Sequence, residues 1–173
     1  MKFVIATLVV LLASGCVNAA PARGPEGAEW VAQSEGNWCW AATAAMVGEV
    51  YTGVKLEECA IVSTVLDRDC CANPDSCNET NVASKALSMA YGLQVRETKF
   101  DLSAIGAAPV IVAYFAPGSG VGHATVVTRT PYGEYLRFDP IAKAPYNVQR
   151  LTAEQVSVYG DGWLPAAMVV VVK

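Results

Sequence analysis

The chain is poor in residues that several common functions require. It holds one histidine, His123, in 173 residues, so all imidazole chemistry falls to that side chain. Its 12 lysines and arginines are outnumbered by 16 aspartates and glutamates, giving a net charge of −4. That balance excludes nucleic acid and anionic membrane surfaces as charge-driven partners. Long apolar runs are missing too. Phe3 to Leu12 is too short to span a bilayer, and Met168 to Val172 has only the length of a strand. No internal repeat or low-complexity block occurs, and 173 residues suffice for one domain with one core. The two-residue cysteine spacing of zinc sites is absent, so neither a metal nor a cofactor is expected.

What the chain does have begins with an export signal: Lys2, then the apolar run to Leu12. Two readings of its end stand side by side. Val17-Asn18-Ala19 places small residues where a signal peptidase reads, with residues 1–19 removed before Ala20. Ala13-Ser14-Gly15-Cys16 resembles a lipobox, which would put a lipid anchor on Cys16. Cleavage removes Lys2 and takes the mature charge to −5. The expected location is outside the cell or in the periplasm.

Cysteines are unevenly spread. Cys59, Cys70, Cys71 and Cys77 cluster, and in an exported protein such a cluster reads as two disulfides rather than a thiolate zinc site. Joining adjacent Cys70 and Cys71 would strain the backbone, which leaves 59–70 with 71–77, or 59–71 with 70–77. Cys39 then stays free.

Residues 20–28 are rich in proline and glycine and read as a flexible leader to a domain spanning 29–173. Glu29 to Ala32 reads as extended. Helices are expected over Trp38 to Tyr51, ended by Gly53, over Glu57 to Leu66, and over Asn81 to Tyr91, ended by Gly92. The last should turn Val82, Ala86, Leu87 and Met89 inward. After Gly92 the texture changes to strands: Leu93 to Thr98, Val110 to Phe115, His123 to Thr130, Tyr135 to Phe138, and late pieces at Trp163-Leu164 and Met168 to Val172. Leu102 to Ala107 reads as a helical turn, and Thr152 to Val158 as a short helix capped by Thr152. Helices first and an antiparallel sheet second define an α+β fold.

The stretch Gln33 to Tyr51 carries the chemistry. A polar loop leads into Cys39 at the start of an apolar helix. A helix N-terminus stabilises a thiolate, the form that attacks carbonyl carbon. Gln33 lies six residues upstream, with a side-chain amide able to reach an oxyanion beside Cys39. His123 follows the glycine-rich loop Gly118 to Gly122. Asp139 ends the strand that pairs with the His123 strand, so the two can be neighbours at one sheet edge. A carboxylate holding one imidazole nitrogen leaves the other to activate a thiol.

Gln33, Cys39-Trp40-Ala41, Gly122-His123-Ala124-Thr125-Val126-Val127 and Phe138-Asp139-Pro140, in that order, resemble papain-like cysteine peptidases. The likeness is to their compact bacterial branch, the AvrRpt-type effector peptidases and bacteriocin-processing peptidases, and covers Gln33 to Pro140. The resemblance implies a papain-like fold with Cys39 as nucleophile, His123 as general base then acid, and Asp139 as orienting residue. It implies Gln33 and the Cys39 backbone N–H as oxyanion donors. A peptide or protein would be the substrate and the enzyme a monomer. The chain departs from large papain-type enzymes in a Cys–His separation of 84 positions, an Asp as third member, Gly36-Asn37-Trp38 in place of Cys-Gly-Ser, and no long pro-region. Trp163 is placed to shield the His–Asp pair or simply to fill the core; Trp38 and Trp40 are placed to line subsites or to pack. Two other functions use the same residues or fold: a transglutaminase or deamidase, distinguished by amine incorporation, and a non-catalytic binding module, distinguished by a Cys39 of ordinary reactivity.

Overall fold

The computed structural model describes residues 23–143 and 145–172. The signal and Cys16 lie outside the described residues. Helix α1, Cys39–Thr52, is built from alanine and other helix formers. It is buried along the whole stretch from Trp40 to Gly48, so it is a central helix, covered on all sides. Gly48 explains part of that closeness. A Cβ there would stand 2.4 Å from the Tyr91 ring, so only glycine lets the two helices approach. Gly53 ends α1 in the left-handed conformation, at φ 69°.

Helices α2, Glu58–Leu66, and α3, Ala83–Tyr91, pack against α1. On α3 the inward residues are Ala83, Ser84, Ala86 and Leu87. Val82 and Met89, expected inward, are 52% and 49% exposed. Val82 is the extended residue before the helix and so escapes its periodicity. The strands are β1, Val95–Lys99; β2, Val110–Phe115; β3, Gly122–Arg129; β4, Tyr135–Phe138; β5, Val148–Leu151; and β6, Leu164–Val171. A short α4, Ala153–Val156, carries a capping box of Thr152 with Gln155.

The sheet runs β1-β6-β2-β3-β4-β5, with all pairs antiparallel. Its centre is buried on both faces: β2 is a continuous apolar run, while β3 buries His123, Thr125 and Thr128 among its apolar residues. Ile111, Ala124, Val126 and Phe138 join the core under α1; Val110, Val112, Tyr114, Val127 and Met168 join a second core with Ile105 and Val156. Strand β5 was not expected, and the two late pieces are one strand, β6.

The cysteine cluster resolves as Cys59–Cys71 and Cys70–Cys77. Cys39 is the one free cysteine among the described residues. The leader is not loose from Arg23 onward. Arg23 bridges to Glu29 around a 3-10 turn, Pro25–Gly27, and Gly24, Pro25 and Ala28 are buried against α1 and β3. Among the described residues no helix is long and apolar enough to cross a membrane.

Candidate active site

Cys39 opens α1, so its N–H belongs to the first turn, where backbone donors have no partner within the helix. The loop before it is held from outside. Asn37 N–H donates to Asn78 Oδ1 (2.9 Å) and Asn37 Nδ2 to Asn78 O (3.0 Å). Trp38 Nε1 donates to Cys77 O (2.8 Å) and Trp40 Nε1 to Glu79 O (3.1 Å). The disulfide-closed segment is therefore the frame on which the Cys39 loop hangs. Trp38 and Trp40 are both buried, and Trp40 also lines the groove described below.

His123 lies at the start of β3 and Asp139 just past the end of β4, paired strands that bring the two together. His123 Nε2 meets Asp139 Oδ1 at 2.9 Å, with both side chains buried. With Nε2 engaged, Nδ1 is the nitrogen left to face the thiol. Burial pushes the imidazole toward its neutral form, but the bond to Asp139 and the neighbouring Cys39 thiol outweigh it and raise His123 to about 9. Burial also works against the Asp139 carboxylate. The His123 bond and charge, then Tyr159 and the Ile141 N–H, outweigh that and hold Asp139 below the usual carboxylate range. Asp139 is fully bonded: Tyr159 Oη donates to Oδ2 at 2.8 Å, Ile141 N–H to Oδ1 at 3.1 Å, and Trp30 Nε1 to its backbone oxygen at 3.1 Å.

Gln33 is brought to this neighbourhood by its backbone, whose N–H donates to Pro140 O at 3.0 Å. Its side-chain Nε2 donates to Glu35 O (2.9 Å) and Gly36 O (3.0 Å), so both amide hydrogens are spent inside the loop. Behind the loop, the buried Glu58 carboxylate accepts from Ser34 N–H (2.8 Å) and Ser34 Oγ (2.7 Å). Burial raises Glu58 to about 7 despite those bonds.

Cys39 and His123 open onto a groove of about 460 Å³. Its walls are largely apolar, from Val82, Ile111, Ala113, Phe115 and Val169, with Glu97 as its one carboxylate. A Cβ at Gly122 would stand 2.9 Å from the Phe115 ring, so glycine there lets that ring lie against the start of β3 in the groove wall. Among the described residues no group of histidine, cysteine, aspartate or glutamate is arranged to hold a metal.

The sequence reading missed Tyr159, whose ring centroid lies 4.9 Å from that of His123. Trp163, considered as the shield, stacks instead on Tyr159 at 6.0 Å, one layer further out. Arg137 and Glu58 were missed as well; both are ordinary charges in the sequence and special only through burial.

Residues 26–140 match the family described as papain-like cysteine protease AvrRpt2, and the chain belongs to that family. It is a papain-like cysteine peptidase by membership. The fold agrees. The peptidase domain of Streptococcus ComA, a bifunctional ABC transporter involved in quorum sensing, superposes with a TM-score of 0.58 at 17% identity, over 82% of this chain and 95% of that one. A double-glycine-motif protease from an AMS/PCAT transporter, solved with a leader peptide, gives 0.56 at 19% identity, over 87% and 95%. No curated protein sequence gives a match.

Proposed function

We propose that the protein is a secreted cysteine endopeptidase whose catalytic residues are Cys39, His123 and Asp139. One observation carries this reading: the only histidine of the chain sits between the buried Asp139 carboxylate and the free cysteine, at the mouth of an apolar groove. Asp139 favours the imidazolium, and the imidazolium favours a thiolate on Cys39. The thiolate attacks the scissile carbonyl carbon. The Cys39 N–H and the Gln33 amide receive the oxyanion, Gln33 exchanging one of its loop bonds for it. The C–N bond breaks as His123 gives its proton to the departing amine, leaving a thioester on Cys39. His123 then takes a proton from water, which hydrolyses the thioester and frees the acid.

The groove suits an extended peptide with an apolar side chain near the cleaved bond. The two disulfides support export, since such bridges persist in oxidising compartments. The enzyme acts as a monomer, in the periplasm or outside the cell. The test is incubation of a proteome-derived peptide library with wild type and with Cys39→Ala, read by mass spectrometry. New termini with wild type alone support the reading. Incorporation of an added primary amine into glutamine side chains, without new termini, would replace it with a transglutaminase.

A further inference from the structure

Three aromatic rings and one buried cation form a stack behind the His–Asp pair. The Tyr159 ring lies 4.9 Å from the His123 ring, 5.4 Å from Tyr114 and 6.0 Å from Trp163. Its hydroxyl donates to Asp139 Oδ2 at 2.8 Å, so the same residue touches both members of the pair. Tyr159 sits in a tight turn closed by two backbone bonds with Trp163, each 2.9 Å, with Gly160 and Gly162 at positive φ between them. That turn leaves the ring little freedom.

Arg137 fixes the other side. It is 5% exposed and places its guanidinium 5.2 Å from the Tyr159 ring centroid and 5.1 Å from that of Tyr114. The two hydrogens of its Nη2 are shared among Val158 O (2.9 Å), Gln155 O (3.0 Å) and Tyr114 Oη (3.2 Å), while its Nε is buried without a partner. A buried arginine is costly unless it is bonded, and here most of its bonds end on the segment that delivers Tyr159. Arg137 lies in β4 and Asp139 just past its end, two positions apart, so one element sets both the acid and the brace of its tyrosine.

We propose that Tyr159, braced by Arg137, is a positioning residue: its hydroxyl locks the Asp139 carboxylate in rotation while its ring covers the imidazole. The proposal rests on the triad reading above. A carboxylate with one oxygen on His123 and the other on Tyr159 cannot rotate without breaking a charge-assisted bond. The covering ring keeps water from competing for the Asp139–His123 bond, which is stronger in dry surroundings. The charged and titratable groups around Tyr159 are Asp139, Arg137 and Cys39, with the His123 and Tyr114 rings in contact with its own.

The test needs no substrate. His123 is the sole histidine, so its ring protons report this site alone by NMR, and iodoacetamide alkylation reads Cys39. Tyr159→Phe keeps the ring and removes the hydroxyl. It should slow alkylation at pH 7 about tenfold, the usual size for losing a bond to a charged group, and speed solvent exchange of the His123 Nε2 proton to a similar degree. Asp139→Asn should slow alkylation at least as much, and the double variant no more than Asp139→Asn alone, because Tyr159 acts through Asp139. Additive losses, or a Tyr159→Phe variant matching wild type in both readouts, would overturn the proposal. An Asp139→Asn variant as reactive as wild type would instead overturn the triad. If Tyr159→Phe fails to fold, 3,5-difluorotyrosine at position 159 preserves shape and makes the hydroxyl a stronger donor. It should hold the Asp139 carboxylate more firmly and slow solvent exchange of the His123 Nε2 proton; an exchange rate equal to or faster than wild type would refute the coupling.

Discussion

Opening the Cys70–Cys77 bridge with the paired change Cys70→Ala/Cys77→Ala should weaken the fold and slow the chemistry of Cys39 together. The bridge closes a loop across seven positions. The chain entropy restored to the unfolded state by its loss corresponds to about 2.5 kcal/mol. Both cysteines are fully buried, so lost packing adds to that figure. A domain of ordinary stability stays folded after such a loss, which keeps the site measurable. The consequence at the site follows from position. Cys77, Asn78 and Glu79 receive the bonds of Asn37, Trp38 and Trp40, the residues flanking the thiol. Once the segment is untethered, Cys39 should sample orientations away from His123. Urea unfolding gives the stability and iodoacetamide the reactivity. A stability unchanged within about 0.5 kcal/mol would refute the entropic reasoning. A less stable protein with unchanged Cys39 reactivity would refute the framing role of the loop.

Glu58 predicts a pH dependence. Its folded value of about 7 lies above that of an unfolded glutamate, about 4.3, so the folded protein binds this proton more tightly. The resulting stability is present below about pH 4 and is lost as pH rises through 7, to a limit of about 4 kcal/mol. Glu58→Gln, which keeps an acceptor for Ser34, should remove that decline when urea midpoints at pH 5 and pH 8 are compared; an equal decline in both proteins would contradict it. In the groove, Ala113→Trp should raise KM for peptide substrates about tenfold or more by filling the apolar wall, and an unchanged KM would place the peptide elsewhere. Gly48→Ala should lower stability, because the clash with Tyr91 exceeds the roughly 1 kcal/mol that alanine adds to helix propensity. A more stable variant would show that the Tyr91 ring gives way.

Much of the fold was legible where local signals were strong. Gly53 and Gly92 stop their helices, Val110 to Phe115 and Tyr135 to Phe138 coincide with strands, and Thr152 caps α4. The neighbourhood of Asp139 and His123 followed from hairpin pairing alone. Strand β5 was hidden because Val148-Gln149-Arg150-Leu151 is a half-buried edge with weak alternation. The leader misled because Pro25 and Ala28 are buried by contacts with distant elements, which composition does not report. Disulfide connectivity was undecidable from spacing, and it depends on how α2 presents Cys59 to Cys71. Tyr159 lay beyond reach for a related reason. It is twenty residues from Asp139 in sequence, and only the turn before β6 swings it onto the pair. The hydrogen-bonding choice of Gln33 within its own loop was equally invisible.

The most direct measurement is the rate of Cys39 alkylation by iodoacetamide across pH 5 to 10, in the oxidised protein, with and without His123→Ala. A thiolate held by the His123 imidazolium predicts rapid alkylation that is lost in the variant. Slow alkylation that rises only at alkaline pH and ignores His123 would mean that no working pair exists, and the peptidase mechanism built on Cys39, His123 and Asp139 would fall.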